Sequence, residues 1–260
     1  VGFFRLIGLD AASALAGGFC RHVGPLIRPL SRRAEDNLRT VFPDWSERQV
    51  RETAAGVWDN LGRTAAEFAH LGGLRPGARV EVVGAERLPA LAAGEGPGVF
   101  VSRPFANGVV YRAANNPLVD ELIINARAKV MSRRQIPKGK RGARALVETL
   151  SAGRSLAMLV DQKLNDGIEA PFMGRPAMTA PTPARLSLKF SVPVMPVSIE
   201  RLKGAHFRIV AHPPLAFAPS GDTEADVLAL TTRINEALER DIRARPAQWL
   251  WLHRRWPKAS

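Results

Sequence analysis

The chain has 260 residues, 46% hydrophobic and 23% charged, with 37 Lys plus Arg against 24 Asp plus Glu and a formal charge of +13. That length suits one large α/β domain, or a core domain plus a helical extension, and the apolar share excludes a chain disordered as a whole. The single cysteine, Cys20, excludes an intramolecular disulfide and a Cys-based zinc site, and fits a reducing compartment.

The segment 1–75 reads as helices. The apolar stretch Ala11–Cys20 falls well short of the ~18 residues that span a bilayer, and Gly17 and Gly18 weaken it as a helix. The chain as given is therefore expected not to cross a membrane. Ser46-Glu47-Arg48-Gln49 is a capping-box pattern. Val50, Ala54, Val57, Leu61, Ala65, Phe68 and Leu71 then recur at helical spacing and stop at Gly72-Gly73. Trp58 and Glu67 sit off the middle of that stripe. They are expected as a rim-packing ring and a surface charge.

From Arg79 short apolar runs alternate with helical segments. The predicted strands are Val80–Val83, Val99–Ser102, Val109–Tyr111, Ser155–Val160, Val192–Ile199 and Phe207–Ala211. The predicted helices are Ala85–Ala92, Pro117–Ala128, Gly142–Leu150, Pro183–Phe190 and Thr223–Ala244. This alternation predicts an α/β domain over 76–260, a sheet with helices on its faces, behind the helical region. Ser102, Arg112 and Asp161-Gln162 fall at carboxyl ends of strands, where open α/β sheets bind ligands.

Charge is unevenly spread. Residues 1–130 hold 16 basic and 13 acidic side chains, and residues 131–260 hold 21 and 11. The run from Arg127 to Arg144 has eight basic residues, no acid and no aromatic ring. It reads either as a docking patch for polyanions or as a solvated basic face. Without interleaved aromatic rings it lacks the stacking platform of single-strand binders, so nucleic acid is not the expected partner. Familiar catalytic signatures are missing too. There is no Gly-x-Ser-x-Gly elbow, no His-Glu-x-x-His and no Gly-Lys-Ser/Thr phosphate loop.

A set of phrases remains. Asn37-Leu38, Val41-Phe42-Pro43, Trp58-Asp59-Asn60-Leu61-Gly62-Arg63 and Glu67 come first. Tyr111-Arg112-Ala113-Ala114-Asn115-Asn116-Pro117, Ile136-Pro137-Lys138-Gly139 and Leu159-Val160-Asp161-Gln162-Lys163 follow. Pro171-Phe172-Met173-Gly174-Arg175-Pro176, Thr179 and Trp249-Leu250-Trp251-Leu252-His253-Arg254-Arg255-Trp256 complete the series. In this order the chain resembles the bacterial lipid A biosynthesis lauroyl (late) acyltransferase family over nearly its whole length.

The resemblance implies a glycerophosphate-acyltransferase-like α/β fold, with a mixed sheet flanked by helices, at the cytoplasmic face of the inner membrane. It implies transfer of an acyl chain from acyl carrier protein to a hydroxyl of a lipid A precursor, with no metal or other cofactor. Arg112 matches the family's arginine and reads either as a clamp for phosphate or the carrier's prosthetic group, or as a structural salt bridge. Asp161 matches the family's Asp-Gln turn and either fixes the loop geometry or orients Arg112, or else only caps its own turn. Substrate contacts are expected from Ser102, Asn107, Asn115, Asn116, Lys138, Gln162, Arg254 and Arg255. With no bilayer-spanning segment, attachment to an anionic membrane surface is expected to be peripheral. The terminal Trp249–Trp256 stretch reads either as a membrane-interface belt or as a buried aromatic closure.

One departure bears on chemistry. The family's His-x4-Asp/Glu pair supplies a base for the acceptor hydroxyl and an acid that orients it. At the matching place stands Val101-Ser102-Arg103-Pro104-Phe105-Ala106-Asn107-Gly108, with Pro104 at the His position and no acid after it. Five residues beyond His22, His70, His206, His212 and His253 stand Ile27, Arg75, Ala211, Phe217 and Lys258, so none restores the motif. Each of these histidines reads as a packing or surface residue, His212 because it precedes Pro213-Pro214. Loss of a positioned base costs ~10²–10⁴-fold in rate. The spacing is also short. Only six residues separate Ser102 from Val109, where a parallel crossover takes about a dozen or more. This predicts either an antiparallel hairpin or adjacent parallel strands flanking a lost helical segment.

Overall fold

The computed structural model describes residues 4, 6–74, 76–87, 99–102, 109–111, 125, 135–137 and 140–256. The amino-terminal helices are α1 (Leu9–Val23), α2 (Arg28–Val41) and α3 (Glu47–Glu67). The predicted capping box starts α3: Ser46 Oγ accepts from the Gln49 N–H, and the Gln49 side chain accepts from the Ser46 N–H. That satisfies two of the donors a helix start leaves unpaired.

Gly17 and Gly18 do not break α1: Gly17 is buried against α3, where an added Cβ would lie 2.7–2.9 Å from Arg63 and Asp59, while Gly18 faces open space. An added Cβ on Gly62 of α3 would lie 2.3 Å from the Ala16 carbonyl oxygen. One on Gly24, just past α1, would lie 2.2–2.6 Å from the Trp58 ring. Gly24→Ala therefore forces the indole out of place, and a loss of about 1–3 kcal/mol is expected in urea unfolding. Trp58 is not a rim residue. It is 5% exposed and its Nε1 donates to Ser31 Oγ at 3.1 Å.

The strands are β1 (Val80–Val83), β2 (Val99–Ser102), β3 (Val109–Tyr111), β4 (Gln135–Pro137), β5 (Leu156–Met158), β6 (Ile168–Phe172), β7 (Arg175–Thr179), β8 (Val194–Arg201) and β9 (Phe207–Ala211). Between them lie α4 (Lys140–Ser151) and α5 (Thr182–Phe190), and α6 (Thr223–Ala244) follows β9. Seven strands form one mixed sheet in the order β1-β9-β8-β2-β5-β3-β4, while β6 and β7 form a separate antiparallel hairpin. The mixed α/β prediction holds. The hairpin was not predicted: Pro171 and Pro176 face each other within it, and proline is a poor strand former. Of the predicted helix Ala85–Ala92, the described part is a short 3₁₀ turn, Ala85–Arg87. The prediction Pro117–Ala128 lies outside the described residues except at 125, which is helical.

Neither arrangement expected for β2 and β3 occurs. Both are parallel to β5, which lies between them. The later strand β5 enters the space that the short link suggested would be closed. The register sets Val109 level with Phe100, each opposite Ala157. From Ser102 the chain must therefore bridge about 12 Å, two strand spacings sideways and two residues back. Seven Cα steps reach at most about 25 Å, so six residues suffice for the distance.

Two apolar cores sit on opposite faces of the large sheet. One joins Val99, Leu156, Met158 and Val194 to α4, α5 and α6; the other joins Ala157, Met195, Val197 and Ala211 to β1. A third core joins the amino-terminal helices to the chain's end, with Leu38, Val50, Val57 and Trp58 against Phe172, Trp249, Trp251 and Trp256.

Candidate active site

The carboxyl edge of the parallel strands is uneven. Ser102 ends β2 opposite Val197, while β8 continues to Arg201. A recess opens there, lined by Val160 and Asp161 after β5, by Val197–Glu200 of β8, and by Leu238, Asp241 and Arg245 of α6 and its end. A wider cleft of about 250 Å³ lies beside it, between Asn60, Leu61 and Thr64 of α3 and the segment Gln248–Leu250. Asp161, Gln248 and Trp249 line both cavities and form the wall between them.

Asp161 is held there by the aromatic closure. The Trp249 Nε1–H donates to Asp161 Oδ2 at 3.0 Å. The carboxylate also opposes, through its charge, the effect of burial on Arg255, whose pKa burial pushes down to about 10. Arg255 thus stays protonated at neutral pH in a fully buried position. Its Nη1 donates to the Met178 carbonyl at 2.8 Å, its Nη2 to Thr179 Oγ1 at 2.7 Å, and the guanidinium lies over the Phe172 ring. Arg255, expected as a substrate contact, is therefore a buried structural cation. Arg254 is exposed.

The terminal tryptophans are likewise core residues and not a membrane belt. Trp249, Trp251 and Trp256 are at most 5% exposed. Asn37 Nδ2 donates to the carbonyls of Trp251 and His253, and Arg33 Nη1 to that of Leu252. Phe42 stacks on Trp45 and meets Trp251 edge-on. The Asn37, Phe42, Trp58, Phe172, Thr179 and Trp249–Trp256 phrases therefore converge on one structural knot. Within it, Trp249 braces Asp161 and also lines both cavities.

Glu67 also belongs to this bracing. It is 3% exposed, accepts from Ser13 Oγ at 2.6 Å, and pairs with Arg201 at the end of β8 (Nη2 to Oε2, 2.9 Å). The expectation of a surface charge is corrected: a helix terminus that meets a strand end buries its last acid against the arginine there.

Two residues of the recess lining, Ser198 and Asp241, meet His212 in a group that the sequence did not suggest. Ser198 Oγ lies 3.0 Å from His212 Nε2, and Asp241 Oδ1 lies 3.8 Å from the same nitrogen. The antiparallel register brings His212 over, with Ala211 opposite Val197. The arrangement is not a relay. A base oriented by an acid uses one ring nitrogen for each partner, whereas here both partners meet Nε2. Elsewhere, His253 Nε2 accepts from the Lys163 N–H at 3.4 Å, beside the Asp161 turn.

Of the predicted site residues, Asp161 lines the cavities and Gln162 lines the wider one. Ser102 closes β2 at the same sheet edge. Arg112 directly follows β3, whose carboxyl end adjoins that of β5, with Val110 opposite Met158. Arg112, Asn107, Asn115, Asn116 and Lys138 lie outside the described residues, as does most of the Arg127–Arg144 run.

The fold is a mixed α/β sheet with cavities at the carboxyl edge of its parallel strands, the edge at which open α/β sheets bind ligands. The model of the bacterial lipid A biosynthesis acyltransferase family matches residues 2–258, and the chain belongs to this family. No curated protein matches the chain.

Proposed function

We propose that this chain serves acyl transfer in lipid A assembly, from acyl carrier protein to a hydroxyl of a lipid A precursor, at the sheet edge marked by Asp161. The family match over residues 2–258 carries this reading. The glycerophosphate-acyltransferase-like fold, and a peripheral position at the cytoplasmic face of the inner membrane, belong to the same proposal. Arg112 is assigned to clamping phosphate or the carrier's prosthetic group. Asp161 is assigned to orienting it, with Ser102, Asn107, Asn115, Asn116, Lys138, Gln162 and Arg254 as substrate contacts. A phosphorylated acceptor and an acidic carrier both call for such cations.

A second reading is binding of acyl chain, carrier or membrane without transfer. Pro104 at the family's His position, and the His212 cluster that meets both partners through one nitrogen, favour it. One experiment separates the two: acyl transfer from loaded carrier protein to a lipid A precursor, beside equilibrium binding of each. Measurable binding with slow transfer is the expected result. Binding with no transfer supports the second reading, and absence of both overturns the two together.

A further inference from the structure

Six of the large apolar side chains that the described residues expose fall within Leu6–Ile27: Leu6, Leu15, Phe19, Val23, Leu26 and Ile27. The five others are scattered over the rest of the fold, so this is a patch and not background. Leu15, Phe19 and Val23 recur every fourth residue on α1, and Leu26 and Ile27 extend their stripe into the turn before α2. The opposite face of α1 is already used. Ala12, Ser13 and Gly17 are buried, and Gly17 closes on Asp59 and Arg63 of α3. The outer stripe therefore contributes nothing to the core, and Leu26 is 70% and Phe19 65% exposed.

We propose that this outer face of α1 and its following turn is the surface by which the protein enters an anionic lipid interface. Charge decides the occupant. From Ala11 to Ala34 there is no acidic residue, while Arg21, Arg28 and Arg32 are exposed beside the apolar stripe. The nearest preceding acid, Asp10, is held in a two-bonded pair with Arg79. An apolar stripe edged by arginines suits acyl chains below and anionic headgroups above. A second copy of the chain would set these arginines against each other. No described helix is long and apolar enough to cross a membrane, so the face lies in the interface plane. Docking then has two parts: an arginine part that salt weakens, and an apolar part that it does not.

The inference deepens the membrane reading above but is tested without substrate. The full chain is sedimented with phosphatidylcholine vesicles, with and without phosphatidylglycerol, at low and high salt. Binding to the anionic vesicles is expected, with a measurable part surviving high salt. Phe19→Ser/Leu26→Ser is expected to lower vesicle affinity about tenfold or more at both salts. Arg21→Gln/Arg28→Gln is expected to lower it at low salt alone. Since these side chains are exposed, an unchanged melting curve is expected for both. Independently, a polarity-sensitive dye is attached to the thiol that Leu26→Cys introduces, with Cys20→Ser removing the native one. Its emission should shift to the blue on vesicle binding. Undiminished binding by the serine variant overturns the proposal, as does a dye that stays in water while the protein sediments. Failure of the unaltered chain to bind any vesicle, with or without self-association, also overturns it. Vesicle binding through this face without acyl transfer would leave the inference standing and remove the transfer reading.

Discussion

Glu67→Ala is expected to cost about 3–5 kcal/mol, a drop in melting temperature on the order of 10 °C. The reason lies with its partner. Arg201 is 11% exposed at its side chain, and its guanidinium also donates to Asn60 Oδ1 and the Gly204 carbonyl. Those neutral acceptors satisfy hydrogen bonds but not charge. Removing Glu67 strands a buried cation, and Ser13 loses its acceptor at the same time. The control is Glu67→Met/Arg201→Met, which removes both charges together. It is expected to be milder than either single change, because the ion pair's own net worth is small beside the cost of breaking it. Equal losses for the single and double variants, measured by urea unfolding, would refute that account.

The same pair marks where the sequence could and could not be read. Helix α6 appears at Thr223–Ala244, as its periodicity predicted, because an Asp222 cap and a long apolar stripe are local signals. Strands β1, β2, β3 and β9 match their apolar runs as well. Glu67 and Arg255 were misplaced because nothing local announces that a charged side chain will be buried. Their partners, Arg201 and Thr179, lie 134 and 76 residues away in sequence. The β6–β7 hairpin was hidden by its two prolines, and the His212 cluster by a register that only the folded sheet fixes. Asp161 was legible because a polar residue closing an apolar strand run is itself a local pattern. Its bond to Trp249 was not, since it joins positions 88 residues apart.

The largest expected change concerns transfer itself. The family's pair places its acid five residues beyond its histidine, which from Pro104 is position 109. Val109 opens β3, opposite Ala157 on one side and Gln135 on the other. Pro104→His/Val109→Asp would therefore set a carboxylate inside a strand flanked on both sides. Less than about a tenfold gain in transfer is expected from it, since an unoriented base recovers little of the ~10²–10⁴-fold that a positioned one supplies. A different outcome is expected if the six residues between Ser102 and Val109 are replaced by a crossover of about a dozen or more. Such a segment, opening with His and carrying Asp or Glu five positions on, puts both side chains ahead of β3 and leaves its register intact. Initial rates from loaded carrier protein should then rise by ~10²–10⁴-fold over the unaltered chain. Full activity in the two-point variant would show that the strand tolerates the acid. Equal rates for the unaltered chain and the longer one would show that the recess at Asp161 already holds a competent base.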